Sequence, residues 1–580
     1  MALVTRLPRP LAHSRLLRTL ERRHRLPRIV TAVRGYDRRA FAADLAAGVT
    51  VGLVALPLAM AFAIASGLPP QAGLYCAGVT GAIVSALGGS RTQIAGPTGA
   101  FVVVVAGIAT RYGVEGLLMC TMMAGVILVI MGAAGMGGAV RFIPRPVVVG
   151  FTNGIAVLIA STQIRDFFGL TLADVPGAFW PRMVALAHAA PTISWPATAV
   201  AGAGLLIILA VNRFMPRVPG SILALVTLTV AARVLHLPID TIGTRFGGIP
   251  SGLPHVSMPA FHPTLIPGLV APAVTVAMLG AIESLMSAMV ADKMTGDRHD
   301  SNVELVAQGV ANIVSPLVGG LPATGAIART ATNIRSGART PVAGIVHALT
   351  LVAILLVAAP LAGVIPMAVL AAILMVVAWN MGEWTEIPEL LRLTKTDVAV
   401  WLVTFGLTVF ADLTVAVEVG MVLAALLFIR RVADTTTVTA VTDEYVQQGR
   451  QHSLQHHELP RYVRVFRIQG PFLFGATDKL RVVTDRLDSL PHIVILRLRN
   501  MTALDGTGLR AIQETADILH QSGRDLILCG AKPQPSMLMA RAEFHRHVGD
   551  ANICANIGEA LARARQIHDA RRRDRRPSVA

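Results

Sequence analysis

"IAGPTGAFVVVVAGIA", Ile94 to Ala109, is the stretch on which the fold turns. Its apolar run from Ala100 to Ala109 covers about 15 Å as a helix, half of the roughly 30 Å that a bilayer core requires. Pro97-Thr98-Gly99 stands directly in front of it. In the second half of the chain "LPATGAIARTATNI", Leu321 to Ile334, repeats the arrangement. Within hydrocarbon, non-helical backbone is tolerated only where protein or a water-filled cavity satisfies it. Two interrupted segments at corresponding positions of two halves therefore point to a binding site between inverted repeats. Proline suits the first turn of a helix, and small residues there leave the terminal amides open. Each such N-terminus carries about half a positive charge, so two that face one another attract an anion.

The rest of the chain supports a membrane setting. Of 580 residues, 53% are hydrophobic and 15% charged, more apolar material than a soluble domain of this length can bury. Apolar segments fall at 44–65, 69–87, 99–110, 115–133, 146–163, 197–211, 219–236, 266–290, 302–318, 324–335, 341–360, 364–380, 396–411 and 413–430, fourteen in all. Even parity puts both ends on one side. Arg141 and Arg145, Arg213 and Arg217, Arg335 and Arg339, and Arg430-Arg431 mark that side as cytoplasmic. Both termini are thus expected in the cytoplasm.

The net charge of +17 could suggest a nucleic-acid partner, but the arginines gather at the two ends and beside apolar spans. No aromatic residues are interleaved as stacking platforms, so no nucleic acid is expected, whereas contact with anionic membrane lipids is. Cys76, Cys120, Cys529 and Cys554 share no short spacing, and the histidine pairs lack matching ligands. No metal, cofactor or enzyme motif is read.

The chain divides into a basic cytoplasmic segment (1–43), a transmembrane domain (44–432), a linker (433–459), a soluble α/β domain (460–570) and a basic tail (571–580). "YVRVFRI" alternates with period two, and "HIVILRL" and "DLILCGA" are continuous apolar strands of the kind buried under helices.

Longer motifs carry a resemblance. "DLAAGVTVGLVALPLAMAFAIASGLPPQAGLY", Asp44 to Tyr75, with "GGSRTQIAGPTGAF", resembles the opening signature of the sulfate permease (SulP) anion-transporter family. Ala277 to Pro341 looks like its second-half signature. The tail, with "LDGTGL" at Leu504 to Leu509, resembles the sulfate-transporter and anti-sigma-antagonist (STAS) domain. This resemblance implies two inverted seven-helix repeats, a core of spans 1–4 and 8–11 against a gate of 5–7 and 12–14. It also implies elevator-like movement, a homodimer and a bacterial cytoplasmic membrane as the location.

Glu283 lies within the otherwise apolar "TVAMLGAIESLMSAMV", a functional hypothesis by default at such depth. The resemblance pairs it with Ser287, one helical turn on, as the ion-coupling position. By the same likeness Phe62, Gly99, Ala100, Phe101, Gly325, Ala326, Ile327, Ala328 and Arg329 line the substrate pocket. Leu58 stands where several relatives carry Gln. Arg329 either borders the anion or serves as a structural cation paired with Glu283.

Two dipole ends suit a monoanion, and a dianion needs Arg329 and a protonated Glu283 as well. The Glu and "ATGAIARTATN" most resemble bacterial members that import C4-dicarboxylates with protons, so proton-coupled uptake of fumarate or succinate is the expectation. Sulfate or bicarbonate transport, coupled to protons or sodium, is the alternative; a channel or a signalling scaffold with a cytosolic STAS partner comes after it. Thr507, before a helix in the tail, is read as a phosphosite or as a simple cap and turn.

Overall fold

The computed structural model describes residues 26–33, 36–138, 144–172, 175–215, 218–248, 252, 254–411, 413–441, 459–485 and 487–574. The basic segment through Arg25, Arg141, Arg217, most of the expected linker (442–458) and the tail beyond Asp574 lie outside these residues. Two compact units result, one ending at Val422 and the other beginning at Leu423.

The first half of the chain forms α1 (Arg38–Ala65), α2 (Pro70–Leu87), strand β1 (Ala95–Gly96), α3 (Gly99–Ala133), α4 (Arg145–Phe168), α5 (Trp195–Phe214) and α6 (Gly220–Val234). The second half forms α7 (Ile266–Thr295), α8 (Ser301–Val314), strand β2 (Thr324–Gly325), α9 (Ile327–Arg335), α10 (Val342–Ala362), α11 (Met367–Met381), α12 (Lys395–Phe410) and α13 (Leu413–Thr435). Every predicted apolar segment falls on a helix. Two of them, 99–110 and 115–133, share α3, which Gly113 breaks with φ 74° and ψ 177°. Among the described residues, α1, α3, α4, α5, α7 and the stretch Met367–Leu390 are long and apolar enough to cross a membrane. An amphipathic helix, Phe179–Ala189, occupies the expected loop 164–196. It anchors through buried Arg182, which donates to Ser161 Oγ and to Pro176 O, each at 3.0 Å.

Helix pairing divides this unit into two groups. The helices α1 to α3 and α7 to α10 form one, and α4 to α6 with α11 and α12 form the other. Partners are exchanged between halves: α1 lies on α10 as α7 lies on α3, and α2 lies on α10 as α8 lies on α3. Such an exchange is what a two-fold relation between repeats produces.

Buried carboxylates fasten the core group. Asp44 accepts from Arg339 N (2.7 Å), Thr340 N (3.1 Å) and Tyr36 Oη (3.0 Å), tying the start of α1 to the loop before α10. Glu304 does the same for the turn after α2, accepting from Gly89 N at 2.9 Å. A buried acid persists in this way because its lone pairs are satisfied by donors.

The second unit contains a five-stranded sheet. It consists of β3 (Thr437–Val441), β4 (Val463–Phe472), β5 (Ile493–Leu504), β6 (Asp525–Cys529) and β7 (Ile553–Cys554), in that spatial order. The strand β3 is antiparallel to β4, and the remaining pairs are parallel. Helices α14 (Gly506–Gln521), α15 (Pro533–Arg541) and α16 (Ile557–Asp574) accompany it. The central strand β5 buries Val494 and Leu496 in one apolar cluster and Ile493 and Ile495 in another. Apolar cover on both faces explains its unbroken hydrophobic run.

One correction concerns the expected linker, 433–459. Its first part closes α13, and Thr437–Val441 is the sheet's edge strand, with Val438 and Val441 buried. Thr437 and Thr439 are β-branched residues that suit a strand.

Candidate functional site

The two interrupted segments meet. Strands β1 and β2 pair antiparallel, Ala95 opposite Gly325 and Gly96 opposite Thr324. The strand uses Thr324-Gly325 in the second half but Ala95-Gly96, upstream of Thr98-Gly99, in the first. The repeated Thr-Gly-Ala therefore does not mark equivalent positions. In the first half it opens helix α3 at Gly99, whereas in the second Thr324-Gly325 is the strand and the helix opens at Ile327.

Side chains hold this crossing in place. Ser284 Oγ of α7 shares a hydrogen with Thr324 Oγ1 at 2.7 Å and accepts from Gly325 N at 3.1 Å. Gln93 Nε2 donates to Ser284 O at 3.1 Å. Thr330 Oγ1 accepts from both Ile94 N and Ser287 Oγ, each at 3.0 Å, and so fastens α9 to the strand and to α7. Gly96 has φ 154°, and a methyl there would lie 2.7 Å from Arg329 Nη1, so only glycine admits the guanidinium.

Between the crossing and the second helix group lies a cavity of about 320 Å³. On the core side it is lined by Leu58, Phe62, Thr98, Gly99, Ala100, Leu279, Ile282, Glu283, Met286 and Ala326 to Arg329. Opposite stand Val147, Val148, Phe151, Thr152, Val377, Asn380, Met381, Glu383 and Thr404. Thr98 is the cap residue of α3 but does not cap it, because its hydroxyl donates to Glu283 Oε2 at 2.8 Å. The first-turn amides of Gly99 and Ala100 therefore remain open, as helix geometry leaves them. Ala326, the cap of α9, has no side chain that could cover its first turn. Arg329 is buried; its Nη2 donates to Pro97 O, and its Nη1 has no hydrogen-bond partner among the described residues. Two open N-termini, the Arg329 guanidinium and the Glu283 carboxylate thus converge on the core side of a mainly apolar hollow that Glu383 lines from the other side, an arrangement that can seat a small anion.

Of the residues read from sequence, Phe62, Gly99, Ala100, Ala326, Ile327, Ala328, Arg329 and Glu283 line the cavity, and so does Leu58. Three stand elsewhere. Phe101 is turned into the core beside Gly280, because its position on α3 faces α7. Gly325 is consumed by the strand pair. Ser287 lies one turn from Glu283 but binds Thr330. The acid takes its hydrogen bond from Thr98 rather than pairing with Arg329. Sequence reading passed over the opposite wall, and Glu383 most of all. That residue belongs to "GEWTEIPELL", which follows the apolar segment 364–380 and lies outside every predicted span. In the second unit Thr507 is exposed in the first turn of α14, and the cap is Asp505, which accepts from Gly508 N at 2.7 Å.

Exchanged helical halves with an anion-receptive hollow at their crossing define the class: a polytopic helical anion transporter. The chain belongs to the Sulfate permease family, whose pattern it matches over residues 41–404, and it carries a STAS domain over 454–560. It is 42% identical to Bacillus subtilis (strain 168) "Putative sulfate transporter YvdB", over 89% of this chain and 96% of that one. It is 29% identical to "Bicarbonate transporter BicA" of Picosynechococcus sp., over 90% of this chain and 94% of that one. Among solved structures, "The transmembrane domain of a cyanobacterium bicarbonate transporter BicA" superposes with a TM-score of 0.59 at 32% identity, covering 67% of this chain and 98% of that one. "The overall structure of SLC26A9" gives 0.82 at 18% identity and 96% coverage of both, a likeness of fold. The names of these relatives speak of sulfate and bicarbonate, and the expected dicarboxylate finds no support in them.

Proposed function

We propose that this protein is a secondary active transporter of a small inorganic oxyanion, sulfate or bicarbonate, which binds between the N-termini of α3 and α9. The observation that carries this reading is the convergence of those two helix ends with Arg329 and Glu283 on one cavity. The two ends supply about one unit of positive charge and Arg329 a second, against the acids Glu283 and, on the opposite wall, Glu383. The cavity lies between two helix groups, and the substrate crosses as the core group slides against the other in an elevator-like step. Fourteen crossings, cytoplasmic termini, a homodimeric assembly and proton coupling at Glu283 complete the proposal. The anion relatives' names favour an inorganic substrate over a C4-dicarboxylate. Ser287 acts as a positioning residue through Thr330. Thr507, exposed beside an N-terminus, remains the proposed phosphosite.

Uptake of labelled sulfate and bicarbonate into proteoliposomes tests the reading. Losing the charge-assisted hydrogen bonds of Arg329 costs about 1.5–3 kcal/mol, so Arg329→Gln is expected to weaken apparent affinity ten- to hundredfold. Saturable uptake unchanged in that variant would place the anion elsewhere.

A further inference from the structure

The cavity wall contributed by the second helix group mixes apolar residues with Thr152, Asn380 and Thr404, and among the described residues it presents one carboxylate. Glu383, which follows α11, lines the same hollow as Glu283 and Arg329. Among the described residues, three charged side chains line the cavity, two of them acids. Nearby Arg145 reaches Glu383 electrostatically, but it is already engaged by Glu386 and Glu389, the latter at 3.0 Å. Glu383 is thus the only acid of this local group that faces the hollow.

An acid facing an anion site is unfavourable unless it serves a purpose. A carboxylate is an acceptor only, and so is each oxygen of a fully deprotonated oxyanion such as sulfate. Placed together, they repel and leave lone pairs without donors. A monoanion that retains a hydroxyl, as bicarbonate does, carries half the charge of sulfate and offers the proton that a carboxylate can accept. Building an unpaired charge against one ligand while accepting another is how binding sites discriminate.

We propose that Glu383 is a specificity-determining residue, a charge filter that favours hydrogen-bearing monoanions over dianions at this site. The inference rests on the anion-transport reading above and refines it. For a cavity of this volume, with an assumed separation of about 8 Å and an effective dielectric of about 20–40, the second charge of a dianion is penalised roughly five- to thirtyfold.

The test is competition between sulfate and bicarbonate in proteoliposomes of the full chain, comparing wild type with Glu383→Gln, Glu383→Asp and Glu389→Gln. The ratio of apparent affinities, sulfate to bicarbonate, is expected to rise at least fivefold in Glu383→Gln. It is expected to return toward wild type in Glu383→Asp and to stay within twofold in Glu389→Gln, whose carboxylate is outside the cavity. The ratio does not depend on how much protein folds, so lower yield of a variant leaves the measurement intact. A ratio in Glu383→Gln within twofold of wild type overturns the filter while leaving the transport reading in place. Wild type that carries neither anion overturns both. Equal shifts in Glu383→Gln and Glu389→Gln also overturn it, since general surface charge would then be responsible.

Discussion

The crossing of α3 and α8 offers a sharp test of how the core group is held. Gly309 and Gly125 face one another there. A methyl built on Gly309 would lie 2.6 Å from Gly125 O and 2.6 Å from Val129 N, and one built on Gly125 would lie 2.7 Å from Gly309 O. These obstacles are backbone atoms, which cannot rotate aside. To reach ordinary contact the helices must separate by about 0.8 Å, which strips dispersion contacts along the whole interface. Overpacking of this kind costs about 1–3 kcal/mol, partly offset by up to about 1 kcal/mol of better helix propensity for alanine. Gly309→Ala is therefore expected to lose about 1–2 kcal/mol. Gly107, on the same α3, has nothing within 4 Å of an added methyl, so Gly107→Ala gains from propensity alone. Thermal unfolding of the purified full chain in detergent should move in opposite directions for the two variants. The double variant Gly125→Ala with Gly309→Ala should fall by less than the two single losses added, because one separation accommodates both methyls. Identical unfolding temperatures for Gly309→Ala, Gly107→Ala and wild type would refute the close glycine crossing.

Glu283→Gln keeps an oxygen for the Thr98 hydroxyl but cannot exchange a proton, so anion uptake should persist with its dependence on an imposed proton gradient removed; uptake that still follows the gradient would exclude this acid as the coupling site. Asp505→Ala removes an acceptor from Gly508 N (2.7 Å) and from Phe474 N (3.1 Å), a cap loss of about 1–2 kcal/mol, and hydrogen exchange in the first turn of α14 should quicken about five- to thirtyfold. Burial pushes the Cys529 thiol up to about 12, with Arg497 opposing more weakly. A raised value leaves the thiol protonated throughout pH 7–9, so site-resolved alkylation of Cys529 should stay negligible across that range in the folded chain and appear on denaturation.

How far the sequence reached depends on which kind of information each feature needs. Apolar run length and its interruption are local, so the helical segments, the two interrupted helices and the α/β tail were legible, and Gly113 breaks α3 between the two segments that the sequence separated. Glu283 and Arg329 were conspicuous because a charge within an apolar run has few bland explanations. Long motifs brought the family into view, but the dicarboxylate expectation rested on a short likeness at Glu283 and around Arg329, and charge counting does not separate a dicarboxylate from sulfate. The pairing register lay beyond a one-dimensional reading. Matching Thr-Gly-Ala triplets suggested one alignment, while strand hydrogen bonds set Gly96 against Thr324 and Ala95 against Gly325. Which face a helical residue presents was likewise decided by its neighbours, sending Phe101 into the core and Ser287 to Thr330. Glu383 makes the same point from the other wall. As a residue in a short turn it has no distinguishing pattern, and it becomes a lining group only because α11 ends where the two interrupted helices cross. The chain's own chemistry thus determined its segments and its buried charges, whereas the cavity is a property of distant residues brought together, which separation along a sequence does not encode.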